Sequence, residues 1–132
     1  CRCFTEEALT KIRDAMERIV AGTCQAAGAQ YGFDFRNTFH PTINSPDQTT
    51  KAIAAANAIF GTDNVISDCH PLTISEDFSS MLRVKPGCYG LIGNGTGSAG
   101  GCALHNPNYD FNDRVLAHGA QYWVQLVRDI LV

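Results

Sequence analysis

The sequence lacks both an excess of basic residues and any long apolar run. Its 132 residues include 10 lysines and arginines against 13 acidic side chains, which gives a net charge of −3. A nucleic-acid partner is not expected, because proteins that bind nucleic acids present a basic surface. No apolar stretch approaches the ~20 residues that a membrane span requires, and the N-terminus does not resemble a signal peptide. We expect a soluble, cytoplasmic protein with no membrane partner.

Paired cysteines at zinc-finger spacing are also missing. The chain has six cysteines, but Cys1 and Cys3 are too close together for that spacing and no second pair matches them. A secreted chain could join its cysteines as disulfides, although a domain of this size with amphipathic helices does not need them. Cys24 falls in a helical pattern and Cys88 in a strand pattern, where thiols behave as small hydrophobic side chains. We predict reduced, mostly buried thiols.

The chain does not begin with methionine, and no cap or turn precedes its first apolar segment. A hydrophobic content of 45% over 132 residues is enough for the core of about one domain. We interpret the chain as a piece of a longer protein, or as one from which an upstream segment has been removed.

Four segments have the pattern of helices. Thr5 is a typical N-cap, acidic residues follow it where the helix dipole favours them, and Gly28 ends the apolar period. Ser45 followed by Pro46 is a second helix start, and Ser75 can cap a short third helix. The predicted helices span residues 5–28, 45–61, 75–86 and about 113–131.

Four other segments have the pattern of β-strands. Apolar and polar residues alternate from Tyr31 to Arg36, which is typical of a half-buried strand. The segment Cys88 to Ile92 is continuously apolar and is predicted to be a buried strand. Shorter candidates lie at 1–4 and 64–67. Strands that alternate with helices predict an α/β fold, and the loop at 37–45 is the predicted boundary between two lobes.

One histidine stands out as a candidate metal ligand. His105 follows a glycine-rich loop and precedes a segment that is dense in carboxylates and contains Pro107. Catalytic ligands are often presented on loops in this way, with polar groups nearby. The glycine-rich loop itself matches G-x-G-x-x-G at 95–100. A dinucleotide site would need a helix to begin there, and none is predicted, so we reject a nucleotide ligand.

Each of the other candidate residues can be explained by an ordinary structural role as well as by a functional role. His40 and His70 each precede a proline and are weak candidates for lining a site, whereas His118 lies on the last predicted helix. Four carboxylates could support a metal site or cap helices, where each would contribute about 0.3–1 kcal/mol. These carboxylates are Glu76, Asp77, Asp110 and Asp113.

A set of short blocks, in order and over essentially the whole chain, resembles the amidohydrolase branch of metallopeptidase family 20. The blocks are Arg2-Cys3-Phe4, Pro41-Thr42-Ile43-Asn44, Ser75-Glu76-Asp77-Phe78, Pro86-Gly87, Leu104-His105-Asn106-Pro107 and Tyr109-Asp110-Phe111-Asn112-Asp113. The branch includes hippurate hydrolases and indole-acetyl-amino-acid hydrolases. The resemblance implies that residues 1–44 are the second half of a lid and dimerisation domain, a βαβ piece. Residues 45–132 would be the C-terminal part of a phosphorylase/hydrolase-like α/β catalytic domain.

The resemblance also implies a chemistry. Family members hold two divalent metal ions, zinc or manganese, around a water that attacks the amide of an N-acyl amino acid, with a glutamate as general base. His105 matches the last metal ligand, and Asn44 falls where the substrate carboxylate can be contacted. The base and the other ligands would lie upstream of Cys1, so we expect this chain alone to be inactive and to hold no metal tightly. A homo-oligomer or a companion chain is the expected assembly. The alternative is a non-catalytic, self-associating interaction module.

Overall fold

The computed structural model describes residues 1–97 and 100–131. The chain divides into two compact units. Unit 1 comprises residues 1–44 and 70–87; unit 2 comprises residues 45–69 together with the chain from residue 88 onward. The assignment of 1–44 to a lid and 45–132 to a catalytic domain stays a prediction.

Unit 1 is built on helix α1, Glu6–Ala26, whose two ends follow local rules. The Thr5 hydroxyl accepts a hydrogen bond from the Ala8 amide at 3.1 Å, which satisfies one of the unpaired NH groups of the first turn. Gly28 adopts φ +67° and so ends the helix in the left-handed conformation that glycine tolerates best. Both predicted ends of this helix are confirmed.

Helix α3, Phe78–Leu82, is shorter than the sequence pattern suggested. The predicted cap at Ser75 is wrong, because the Ser75 hydroxyl instead accepts a hydrogen bond from Arg2 Nη1 at 2.6 Å. The residue before the helix is Asp77. Ser79 is fully buried, and its hydroxyl donates to the Glu76 carbonyl at 2.7 Å.

Unit 2 is a pair of packed helices with long connecting loops. Helix α2, Pro46–Phe60, begins after Ser45 and ends at Gly61, as predicted. Helix α4, Arg114–Leu131, packs against it. At this contact Phe60 stacks on Tyr122, with ring centroids 6.4 Å apart, and Ala55 is fully buried. Burial of these apolar groups holds the two helices together.

The predicted strands are the part of the fold that the structure corrects. Within residues 1–97 and 100–131 no β-strand is present, and residues 62–64 form a 3₁₀ turn where a strand was predicted to begin. Leu91 and Ile92, predicted to be buried in a strand, are 63% and 52% exposed. A strand is stabilised by hydrogen bonds to a neighbouring strand, and an alternating sequence supplies no such partner by itself. The βαβ lid piece is therefore not seen here.

The cysteines are more exposed than the sequence predicted, and the described helices are too short or too polar to cross a membrane. None of the cysteines is buried: Cys1 and Cys69 are exposed and the other four are half-buried, so the prediction of mostly buried thiols is wrong. Among the described helices, none is both long and apolar enough to cross a membrane.

Candidate functional site

His105 lies at the third position of a tight turn. The Asn106 amide donates to the Ala103 carbonyl at 3.2 Å, and His105 has φ +67°. A positive φ at this position is the signature of a type II turn, which glycine or asparagine usually fills. Holding a histidine in this backbone conformation costs on the order of 1–3 kcal/mol. Backbone strain of this kind is concentrated at functional sites. His105 is exposed in this turn, so a metal ion could reach its imidazole.

A second turn follows directly and stiffens the segment. The Tyr109 amide donates to the Asn106 carbonyl at 2.9 Å, with Pro107 at the second position, where its fixed φ suits a turn. The Asn106 side chain accepts from the Asn108 amide at 2.9 Å. Two consecutive turns with a proline therefore hold the backbone around His105.

Two asparagines close the long loop that carries His105. Asn94 Oδ1 accepts from the Asn112 amide at 2.9 Å, and Asn112 Nδ2 donates to the Asn94 carbonyl at 3.1 Å. Asn94 Nδ2 also donates to the Asp110 carbonyl at 3.0 Å. We call this pair the Asn94–Asn112 clasp. The clasp leaves no local signal in the sequence, because its two residues are 18 positions apart. Ser98 and Ala99, in the glycine-rich part of this loop, lie outside the described residues.

The predicted supporting carboxylates are distributed over both units. Asp110 and Asp113 are exposed residues of unit 2, just before helix α4. The side chain that bonds the first amide of that helix belongs to Asn112, whose Oδ1 accepts from Arg114 N at 3.2 Å. Glu76 and Asp77 are in unit 1, where their carbonyls accept from the amides of Ser79 and Ser80. Their proposed roles beside a metal stay predictions.

The remaining candidates all belong to unit 1. Asn44 is half-buried, and its role toward a substrate stays a prediction. His70 is exposed. His40 is half-buried, and its Nδ1 lies 2.6 Å from Glu6 Oε1. The sequence alone did not indicate the contact between His40 and Glu6.

The described residues do not by themselves fit a two-metal centre. Within them, no group of three or more histidine, cysteine, aspartate or glutamate side chains is arranged to hold a metal ion. A catalytic zinc site uses three protein ligands and a water, and His105 supplies one candidate ligand. Cys88 and Cys102 are the nearby thiols in the sequence, and both are half-buried. It remains a prediction that this chain alone binds no metal ion tightly.

A group with a shifted pKa, the Tyr122 hydroxyl, lies at the contact between α2 and α4. Burial, and secondarily the neighbouring Cys88 thiol in its ionised form, raise the pKa of the Tyr122 hydroxyl above its ordinary value. This group belongs to the helix packing of unit 2. We therefore assign it no part in the chemistry of His105.

The sequence pattern of peptidase family M20/M25/M40 matches residues 5–129. The chain belongs to peptidase family M20/M25/M40. This confirms the family predicted from the ordered blocks, and the family is generally metal-dependent. No solved structure matches the chain.

Three curated relatives illustrate where this M20/M25/M40 chain falls. It is 29% identical to a hippurate hydrolase of Campylobacter jejuni, over 95% of this chain and 32% of the relative. It is also 29% identical to thermostable carboxypeptidase 2 of Saccharolobus solfataricus, over 90% of this chain and 30% of the relative. An IAA-amino acid hydrolase of Arabidopsis thaliana is 29% identical over 64% of this chain and 19% of the relative. The chain thus spans about a third of the length of the first two relatives.

Proposed function

We propose that this chain is part of a metal-dependent amidohydrolase that cleaves the amide bond of N-acyl amino acids. The observation that carries the proposal is His105, held at φ +67° in an exposed turn inside a family match that covers residues 5–129. The names of the relatives support the reaction class, since they include a hippurate hydrolase and an IAA-amino acid hydrolase. The same proposal includes a cytoplasmic location and a dimer or a companion chain.

The proposed reaction is hydrolysis. The oxygen of water bonds to the amide carbonyl carbon, the carbon–nitrogen bond breaks, and the leaving nitrogen takes up a proton, which gives a carboxylic acid and a free amino acid. A divalent metal, zinc or manganese, would supply Lewis-acid chemistry when bound. In this chain His105 would contribute one ligand and Asn44 would donate a hydrogen bond to the substrate carboxylate. Since the described residues do not complete a metal site, we propose that the chain alone is inactive.

The proposal can be tested by complementation. The chain is combined with the N-terminal segment of a family amidohydrolase and assayed on hippurate with added zinc or manganese. We expect activity that His105→Gln abolishes and His118→Gln retains, because His118 Nδ1 is bonded to the Arg114 carbonyl on helix α4. If His105→Gln leaves the rate unchanged in an active complex, the ligand role is wrong.

Metal analysis of the purified chain gives a second, independent test. A site with one imidazole should hold a divalent ion weakly, since catalytic sites use three protein ligands. We expect less than stoichiometric metal after purification without chelator. One equivalent of zinc that disappears in His105→Ala would show that the chain carries a complete site.

A specific observation also favours the alternative, a self-associating interaction module. Helix α4 carries an apolar stripe that the described residues leave uncovered. Its largest members are exposed to between 49% and 64%: Leu116, Trp123, Val127 and Ile130. Uncovered apolar patches of this kind usually mark interaction sites.

A further inference from the structure

The loop that carries His105 returns twice to a single residue, Asn94. It first returns at Gly100, which is buried and lies so close to Asn94 that a Cβ at Gly100 would overlap the Asn94 carbonyl oxygen. It returns again at Asp110, whose carbonyl accepts from Asn94 Nδ2 at 3.0 Å, and at Asn112 through the clasp. Asn94 thus contacts both stems of the segment between Gly100 and Asp110. His105 lies at the midpoint of this segment, five residues from either end.

The first stem requires glycine. Gly100 has φ +85°, in the left-handed region that residues with a side chain rarely adopt, and its backbone approaches Asn94 closely. Gly101 is crowded as well, by the carbonyls of Thr96 and Gly97. Gly97 itself has open space where a Cβ would be. The crowding therefore marks the stem and does not extend to every glycine of the loop.

The two turns around His105 lie between the stems. The Asn106 amide donates to the Ala103 carbonyl at 3.2 Å, and the Tyr109 amide donates to the Asn106 carbonyl at 2.9 Å. The first turn starts three residues after one stem, and the second ends at the residue before the other stem. Compact surface loops whose ends lie close together often carry functional residues. Because both ends of this loop meet Asn94, the turns have little room to move.

We propose that Asn94 and Gly100 are positioning residues for His105: by fixing both stems of its loop, they hold the imidazole where it can bind a metal ion. The metal part of this inference rests on the proposed function, whereas the fixing of the loop rests on the contacts of Asn94. Residues that orient a metal ligand typically change metal affinity by about 10- to 100-fold when they are replaced. An opened stem should therefore weaken metal binding while the imidazole itself stays in the chain.

Amide hydrogen exchange of the isolated chain tests the fixing of the loop without any enzyme activity. In Gly100→Ala the new methyl group displaces Asn94, which is the acceptor for the Asn112 amide. We expect the amides of Asn112, Asn106 and Tyr109 to exchange about 2- to 10-fold faster than in wild type, the range for one lost hydrogen bond.

The matched control is Gly97→Ala, which adds the same methyl group in open space and should leave all three rates unchanged. The Gly61 amide, bonded to the Asn57 carbonyl at the end of helix α2, should keep its rate in both variants and so report that unit 2 stays folded. If it exchanges faster in Gly100→Ala, Asn94→Asp replaces that variant. Asn94→Asp keeps the acceptor for the Asn112 amide, loses the donor to the second stem, and adds no bulk.

The exchange rates separate a positioning role from a merely local one. Faster exchange at Asn112 with unchanged rates at Asn106 and Tyr109 would show that the stem opens without loosening the turns around His105. That result would overturn the proposal, as would unchanged rates at all three amides.

The zinc requirement of the complemented complex tests the effect on His105. The zinc concentration for half-maximal hydrolysis of hippurate should rise by about 10-fold in Gly100→Ala and stay at the wild-type value in Gly97→Ala. The rate at saturating zinc should return toward wild type, whereas a simple loss of folded protein would lower that rate and leave the zinc requirement unchanged. An unchanged zinc requirement in an active complex would overturn the positioning role. A wild-type complex without activity would contradict the proposed function, and hydrogen exchange would then decide on the loop alone.

Discussion

At the scale of single residues, the Asn94–Asn112 clasp is the best-defined set of hydrogen bonds in the loop that carries His105. Replacing Asn94 by alanine removes the acceptor for the Asn112 amide and the donor to the Asp110 carbonyl. At about 0.5–1.5 kcal/mol for each hydrogen bond, we expect the free energy of unfolding to fall by about 1–3 kcal/mol in urea titrations. Asn108→Ala is the control, because Asn108 contributes its main-chain amide. Equal stability of the two variants would contradict the clasp.

Tyr122 gives a second residue-scale prediction, in the alkaline range. Burial raises the pKa of its hydroxyl, so above the unfolded-state pKa the unfolded chain binds fewer protons than the folded one. Stability should therefore be unaffected at neutral pH and should fall as pH rises between the unfolded and folded pKa values. Tyr122→Phe keeps the ring that stacks on Phe60 and should remove this part of the pH dependence. Urea midpoints measured from neutral to alkaline pH check it, and identical curves for both proteins would refute it.

At the scale of elements, the ends of helix α1 could be predicted because their signals are local. Thr5 caps the Ala8 amide within three residues. Thr5→Ala should lower the free energy of unfolding by about 1 kcal/mol, whereas Thr5→Ser should keep most of the stability, since serine caps equally well. Helicity followed by circular dichroism through a urea titration measures both. If the alanine variant is as stable as the serine variant, the capping bond contributes nothing.

The strands could not be predicted in the same way. A helix satisfies its backbone groups within four residues, whereas a strand needs a partner that the local pattern does not contain. The alternation from Tyr31 to Arg36 is real, and Phe33 and Phe35 do fall on one side, with stacked rings 6.2 Å apart. Within the described residues, however, no strand pairs with them. Alternation predicts which side chains share a face, and pairing is a separate, long-range property.

For the whole molecule, the sequence blocks identified the family and proposed His105, but not how the structure holds it. The left-handed backbone at His105 was not predictable, because non-glycine residues at positive φ are set by their turn and surroundings. The clasp joins residues 16 to 18 positions apart and leaves no periodic signal. The family blocks thus located a candidate ligand, and hydrogen bonds that are visible only in three dimensions close the loop that carries it.

The last prediction concerns the uncovered stripe of helix α4. The apolar residues of the stripe are spaced seven, four and three positions apart, which aligns them along one side of the helix: Leu116, Trp123, Val127 and Ile130. A neighbouring face of the helix packs on α2 through Tyr122, so apolar side chains cover a wide part of its surface. Such helices are stable when something covers them, and a second copy of the chain offers the same stripe in return.

We therefore expect the sedimentation coefficient of the isolated chain to rise with concentration. Val127→Lys should abolish this rise, because it places a charge in the centre of the stripe, and charges are depleted from interface cores. Gln121→Lys is the matched control, since Gln121 is exposed and lies outside the stripe, so the same charge there should leave association unchanged. A monomer at every concentration would remove the case for a self-associating module. Association that Val127→Lys does not disturb would mean that copies meet through another surface.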